Sequence, residues 1–272
     1  MRRAQALLQT RDARTPLPAP AALMMITAQP PLRARPASDR ALAVAAARDA
    51  TAWWRRRYAC GLGFVFMGRQ DSCVSLASHD HGVDSSFIWL RLTEKMRRGQ
   101  ALRRIVRLPL SAPPVQGHAS ALPDLARVGL AYLAARAQLC ELVGAQQPVW
   151  LFQLPGERAP ATRDMSAWFA AVLAEEGIQA PEGFAYLGHS IRSGGSSAAE
   201  AIGVPRFRGN WLGGWSLGSH VRERLYIDPS VLPTPAAFAL FGWLLAGVYE
   251  AGLPVWERMA GATPRADVGE PA

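Results

Sequence analysis

Lysine is almost missing from this chain. Of its 30 basic residues every one but Lys95 is arginine. Arginine stays charged at any ordinary pH, so a single side chain, Lys95, offers a compact ammonium able to give up a proton. Cysteine is also scarce: Cys60, Cys73 and Cys140 are odd in number and far apart, with no C-x-x-C pair. That spacing excludes a disulfide framework and a four-ligand zinc site, and the chain reads as intracellular. No apolar run reaches the ~20 residues of a membrane span. The nearest, Ala236 to Leu253, is broken by Gly242, Gly247 and Glu250, which suits a packed helix better. Gly61-Leu62-Gly63 is too short to cradle a nucleotide. Gly188-His189-Ser190-Ile191-Arg192 lacks the closing glycine of a hydrolase elbow. His79-Asp80-His81 has no third ligand at a credible spacing, so no metal and no cofactor is expected. Acid is thin, with 21 Asp and Glu, which leaves a net charge of +9 and a pI near 10.4. A polyanion is the partner such a surface suits, and nucleic acid is the first candidate.

The 272 residues allow one large domain or two small ones, and half of them are hydrophobic, enough for a sizeable core. Residues 1–40 are rich in Arg, Ala and Pro. The run from Pro16 to Pro36 argues against a stable fold there, so this stretch reads as an organelle-targeting segment, a basic arm touching phosphates, or a disordered remnant. An apolar pattern from Ala41 to Met67 predicts a long helix, with Arg55, Arg56 and Arg57 on a solvated face. Asp124 to Gly144 is amphipathic, with Asp124 expected as its N-cap and Gly144 as its stop. Arg163 to Gly177 and Ser190 to Ile202 are two more helices. Phe87–Thr93 and Ala101–Leu108 read as paired strands, with Lys95 in the turn between them. A linker with prolines at 229, 233 and 235 precedes the apolar block Phe238 to Leu245. The division expected is therefore 1–40, a main domain 41–232, and a C-terminal helix with a polar tail over 233–272.

The motifs fall in one order. Gly68-Arg69-Gln70-Asp71-Ser72 follows an apolar run, and Leu76 and Asp80 come next. Lys95 sits at the hairpin. His189-Ser190-Ile191-Arg192 opens a helix, Gly213-Gly214-Trp215 follows, and Tyr226 stands in Leu225-Tyr226-Ile227. This order resembles the catalytic domain of tyrosine recombinases, the phage-integrase family. The resemblance covers roughly residues 41–232. It implies an α+β fold, mainly helical, with a small antiparallel sheet. Two departures stand out: Ser72 replaces a common Glu, and the interval from Trp215 to Tyr226 is two residues longer than usual. A bulged turn at Leu217-Gly218-Ser219 is expected to absorb that excess. The family normally carries a separate helical domain ahead of this one, for which residues 1–40 leave no room, so the expectation is either a fragment or a protein that binds DNA with half a clamp. His220 lies too close to Tyr226 to replace Trp215, and Tyr249 is a distant substitute for Tyr226.

The resemblance also assigns roles. Arg69 and Arg192 would hold the non-bridging oxygens of a phosphodiester. Lys95 would give a proton to the departing 5′ oxygen, and His189 and Trp215 would support the phosphate. Tyr226 would attack phosphorus and form a 3′-phosphotyrosyl link. Double-stranded DNA would be the partner, and a homo-tetramer on paired sites the working form. DNA recombination or integration by a mobile element is the function implied, at the nucleoid or in a nucleus. The alternative is a DNA-binding relic without activity. Docking of the C-terminal helix on a neighbouring protomer is the expectation for residues 233–272, with packing on its own domain as the alternative.

Overall fold

The structure, a computed structural model, describes residues 14–30, 39–95, 101–215 and 219–246. For residues 93–95 and 101–104 only the backbone is described. Helix α1 spans Ala19–Thr27 and α2 Arg40–Val65. The short α3, Gln70–Val74, is followed by a three-residue 3-10 turn, Ser78–Asp80. Strands β1 (His81–Val83), β2 (Phe87–Lys95) and β3 (Ala101–Pro109) form one antiparallel sheet in that order. Then come α4 (Leu122–Val143), α5 (Thr162–Glu175), α6 (Gly188–Ala201), α7 (Arg206–Leu212), α8 (Val221–Leu225) and α9 (Pro235–Phe241). A 3-10 turn, Gly242–Leu244, ends the described chain's regular structure. The α+β, mainly helical class expected from the sequence is the class observed.

Helix α2 is the axle. Its Asp39 cap accepts from the Ala41 N–H at 2.7 Å. From Trp53 onward most of its side chains are buried, against α1, α4, α5 and α6. Of the arginines expected on a solvated face, Arg55 and Arg57 are instead buried and Arg56 is half-buried. Arg55 pairs with Glu157 at 2.5 Å and lies 4.7 Å over the Trp168 ring. Arg56 and Arg57 pair with Glu175, Arg57 also with Glu176, and Arg57 stacks 3.8 Å over Trp53. Two carboxylates at the end of α5 face the negative pole of that helix, and these guanidinium groups offset the repulsion.

The sheet follows the pleat. Ile88, Leu90 and Leu92 of β2 and Val106 and Leu108 of β3 enter the core, while Arg91 and Ile105 face out. The pairing runs from Phe87 opposite Pro109 to Lys95 opposite Ala101. Lys95 therefore belongs to the end of a strand, not to the turn. The first turn of α4 begins earlier than expected, with Ala121 in place of Asp124 as its N-cap. Pro123 sits at its start, where a missing N–H costs nothing, and Asp124 lies inside the turn. Gly144 closes α4 at φ 66°, as expected.

Both ends differ from the sequence reading for one reason: prolines placed at helix starts break nothing. Pro18 precedes α1 and Pro20 lies in its first turn. Leu17, Ala19, Ala22, Met25 and Ile26 are buried in the common core. The expectation of no stable fold from Pro16 to Pro36 fails over this stretch. At the other end Thr234 caps α9, accepting from the Ala237 N–H at 3.1 Å, with Pro235 in its first turn. Phe241 packs on Phe64, ring centres 5.8 Å apart, and Ala121 N–H donates to the Ala239 carbonyl at 2.8 Å. Phe238, Leu240, Trp243 and Leu244 are buried too. Residues 235–244 thus pack on their own domain. Residues 1–13, 31–38 and 247–272, with Tyr249, lie outside the described residues.

Candidate active site

The candidate site forms where α2 ends, α3 begins and α6 passes beneath them. After α2 the backbone turns through Met67, a non-glycine residue at φ 51°. Gly68 follows, where a Cβ would overlap the Phe66 ring. Arg69 comes next, at the N-cap of α3 and exposed. The turn aims the Met67 carbonyl inward, where it accepts a hydrogen bond from Arg192 Nη1 at 2.5 Å. Arg192 itself is 4 % exposed. Helix α6 comes this close because it carries glycines where it meets other backbone. A Cβ on Gly194 would overlap the Leu17 carbonyl and one on Gly195 the Phe64 carbonyl.

Arg192 belongs to two groupings. It lines a cavity of about 490 Å³ together with Gly68, Arg69, Asp71, Ser72, Gly213 and Gly214. Leu92 of β2 and Asp80 also border it, and Asp80 holds Arg91 at 3.3 Å. In the second grouping Arg192 Cζ lies 3.8 Å from the centre of the Trp215 ring and 4.9 Å from that of Tyr226. Trp215 and Tyr226 are 5.3 Å apart, tilted by 57°. The His189 ring lies nearly parallel to Tyr226, 13° off, at 6.4 Å. Four of the six candidate residues therefore share one cluster, and Arg69 faces the cavity that the cluster adjoins. Lys95 is described as backbone only, three residues beyond Leu92 on the strand that borders the cavity.

The turn that presents Trp215 depends on both glycines. A Cβ on Gly213 would overlap the indole, and Gly214 adopts φ 73°. Trp215 N–H donates to the Asn210 carbonyl at 2.8 Å, closing the turn. Asn210 Nδ2 in turn donates to the Ser219 carbonyl at 2.8 Å, across the longer interval before α8. Trp215 and Tyr226 thus meet despite the two extra residues. The expected bulge at Leu217 and Gly218 lies outside the described residues. His220 contacts Arg206 at 3.2 Å and takes no part in the cluster.

Electrostatics favour a neutral His189. Burial of part of its ring lowers its pKa, and the charges of Arg14 and Arg192 lower it further. Arg14 is a residue that the sequence reading missed. It bridges to Ala185, just before α6, and Leu17 N–H donates to the Ser190 carbonyl at 3.0 Å. Only the paired backbones bring it to the site, and no local pattern announces that. His81, of the His79-Asp80-His81 run, points away into the core, with Nε2 2.5 Å from the Tyr58 hydroxyl. Among the described residues no group of three or more His, Cys, Asp or Glu side chains is placed to hold a metal ion, and no helix is long and apolar enough to cross a membrane.

No family model matches the chain, and no curated protein matches it. Solved structures do. The chain is similar to the XerH site-specific recombinase in a pre-cleavage complex with difH substrate, at TM-score 0.51 and 13 % identity, over 79 % of this chain and 51 % of that one. The XerH post-cleavage complex with palindromic difH gives 0.48 and 11 %, over 90 % and 54 %. A lambda integrase (75-356) dimer bound to a COC′ core site gives 0.44 and 15 %, over 80 % and 60 %. The chain spans about half the length of these structures. The pre-cleavage XerH match supports the tyrosine-recombinase catalytic-domain fold, and at this identity it speaks to fold alone.

Proposed function

We propose that this chain cuts and rejoins DNA through Tyr226, as a site-specific recombinase or integrase does. One observation carries the reading: the Tyr226, Trp215 and His189 rings gather around Arg192, which also lines a cavity with Arg69 and with Gly213 and Gly214 beside Trp215. A phosphodiester in that cavity would meet two guanidinium groups. These bind phosphate oxygens in pairs and neutralise the charge that develops at phosphorus. The Tyr226 oxygen attacks phosphorus, the bond to the 5′ oxygen breaks, and the departing oxygen takes a proton from Lys95. The phosphate stays esterified to Tyr226 at the 3′ end. Attack by a free 5′ hydroxyl reverses the step, so rejoining needs no external energy. A neutral His189 accepts or relays a proton beside the phenol better than a charged one would. The net charge of +9 suits a duplex partner. Assembly as an oligomer on paired sites belongs to the same reading, as does a DNA-associated location.

The test is a duplex with a nick that lets the cut end diffuse away, carrying the protein's own site. The protein should become covalently attached at a 3′ end. Tyr226→Phe should bind the duplex as tightly and give no adduct. An adduct that persists in Tyr226→Phe removes the nucleophile assignment. A wild type that binds its site and never forms adduct leaves the DNA-binding relic instead.

A further inference from the structure

The segment that presents Tyr226 is held by an unusual contact. Helix α8 has five residues, too few to persist on propensity alone. Short helices are usually anchored by apolar side chains, yet Val221 and Leu225 are 45 % and 57 % exposed. The one buried side chain of α8 is a cation, Arg222, with no exposed surface. Its Nη2 donates to the Ser196 carbonyl of α6 at 3.1 Å, and its Nη1 lies 3.2 Å from Glu200 Oε2, also on α6. Its guanidinium carbon sits under Gly209 of α7, where an added Cβ would come within 2.6 Å. The Arg222 carbonyl accepts the Tyr226 N–H at 2.9 Å. Beside it, Ser197 Oγ accepts from the Asp228 N–H at 2.8 Å and donates to the Tyr226 carbonyl at 3.2 Å. One guanidinium therefore touches the helix of His189 and Arg192, the helix that leads to Trp215, and the helix that ends in Tyr226.

We propose that Arg222 is a positioning residue that sets the Tyr226 segment in register with Arg192 and Trp215. The proposal rests on the recombinase reading for its consequence in catalysis, but not for its geometry. A leucine at position 222 would bury more cheaply, since a charge must be desolvated. It would also allow sliding. A hydrogen bond and an ion pair to α6, with the guanidinium packed under Gly209 of α7, define one position, and Glu200 compensates the buried charge. Errors of ~1 Å in the placement of a reacting group cost about 10²-fold in rate.

Arg222→Lys, Arg222→Met, Glu200→Gln and Gly209→Ala test it, with melting temperature measured for each. On the nicked duplex, the single-turnover rate of adduct formation at saturating protein is compared with the duplex Kd. Among variants that stay folded, the rate should fall by ~10-fold to 10²-fold while Kd changes by less than about 3-fold. Arg222→Lys should retain more rate than Arg222→Met. Amide exchange over residues 221–228 should quicken in the same variants, with exchange in α6 unchanged. A folded variant with normal rate and normal exchange overturns the proposal, and so does a loss confined to Kd. If the wild type forms no adduct, the recombinase reading has failed, and the exchange measurement still decides whether Arg222 fixes the segment. Should Arg222→Met unfold, Glu200→Gln, on a half-open carboxylate, keeps the proposal open to refutation.

Discussion

Arg192 is held from three directions at once: a backbone carbonyl, an indole face and a phenol ring. Only a planar guanidinium satisfies all three, so Arg192→Lys should behave nearly as Arg192→Ala. Either change, or Arg69→Ala, should slow adduct formation by ~10²-fold to 10³-fold, about 2.7 to 4 kcal/mol, as for loss of a donor at a developing charge. Lys95→Ala should be rescued by a duplex whose 5′ bridging oxygen is replaced by sulfur, since that leaving group needs no proton. No rescue would remove the lysine from the general-acid role. His189 gives a second residue-scale test. Arg14→Ala removes one of the charges that lower its pKa, so NMR titration should find that pKa raised relative to the wild type. An unchanged value would place Arg14 too far away to matter. His81 titrates for a different reason. Burial lowers its pKa to about 4 from 6.5, and the charge of Arg136 adds to the effect. Tyr58 is held protonated by burial and shares a hydrogen bond with the neutral ring. The unfolded chain therefore takes up a proton below 6.5 that the folded chain refuses until about 4. Stability is fully present above 6.5 and falls as the pH drops through that window, by about 3 kcal/mol in all. His81→Gln should flatten the wild-type fall between pH 7 and pH 5 in urea denaturation. Equal slopes would exclude His81 as the source.

At the scale of elements, close backbone approach is what sets the site. Helix α6 touches the carbonyl groups of Leu17 and Phe64 through Gly194 and Gly195. Gly195→Ala cannot be absorbed by a flexible side chain, because the neighbour is backbone. It should destabilise the fold by roughly 1 to 3 kcal/mol. It should also weaken the hydrogen bond from Arg192 to Met67, so adduct formation should fall further than the stability loss explains. A melting temperature within error of wild type would refute the packing argument. These elements show what a sequence discloses. The long helices were legible because their apolar period and their stops, such as Gly144, are local. The hairpin was legible from two β-rich runs, though its strands extend further, enough to place Lys95 within β2. The order of the candidate side chains was legible, and His189, Arg192, Trp215 and Tyr226 do come together, while their roles rest on the proposed function. Arg222 and Arg14 were not. Nothing local separates a buried arginine from the many at the surface of an arginine-rich chain. The burial of Arg55 and Arg57 was hidden in the same way, because their partners Glu157, Glu175 and Glu176 lie about a hundred residues away.

For the whole molecule, the two ends close one core. Helix α1 packs on α9 as well as on α2, and both rest against the start of α4 or its neighbours. Proline-rich composition suggested an arm and a linker, because composition cannot tell a proline that opens a helix from one that prevents it. That difference changes what truncation should do. Removing residues 234–272 would strip Phe238, Leu240, Phe241, Trp243 and Leu244, all buried, and expose Phe64 and the start of α4. Each large side chain buried contributes roughly 1.5 to 3 kcal/mol, and the loss of five exceeds the whole stability of an ordinary domain at the lower end of its range. The shortened protein should be unfolded or aggregated. A chain ending at residue 246 keeps all five and should melt cooperatively near the full-length temperature. If assembly on paired sites needs a C-terminal segment from a neighbour, that segment lies beyond Ala246. The chain ending there should then bind a single site normally and lose cooperative binding to paired sites, as read by titration on one-site and two-site duplexes. A folded, cooperative 1–233 fragment would show that residues 235–244 serve neither the core nor assembly.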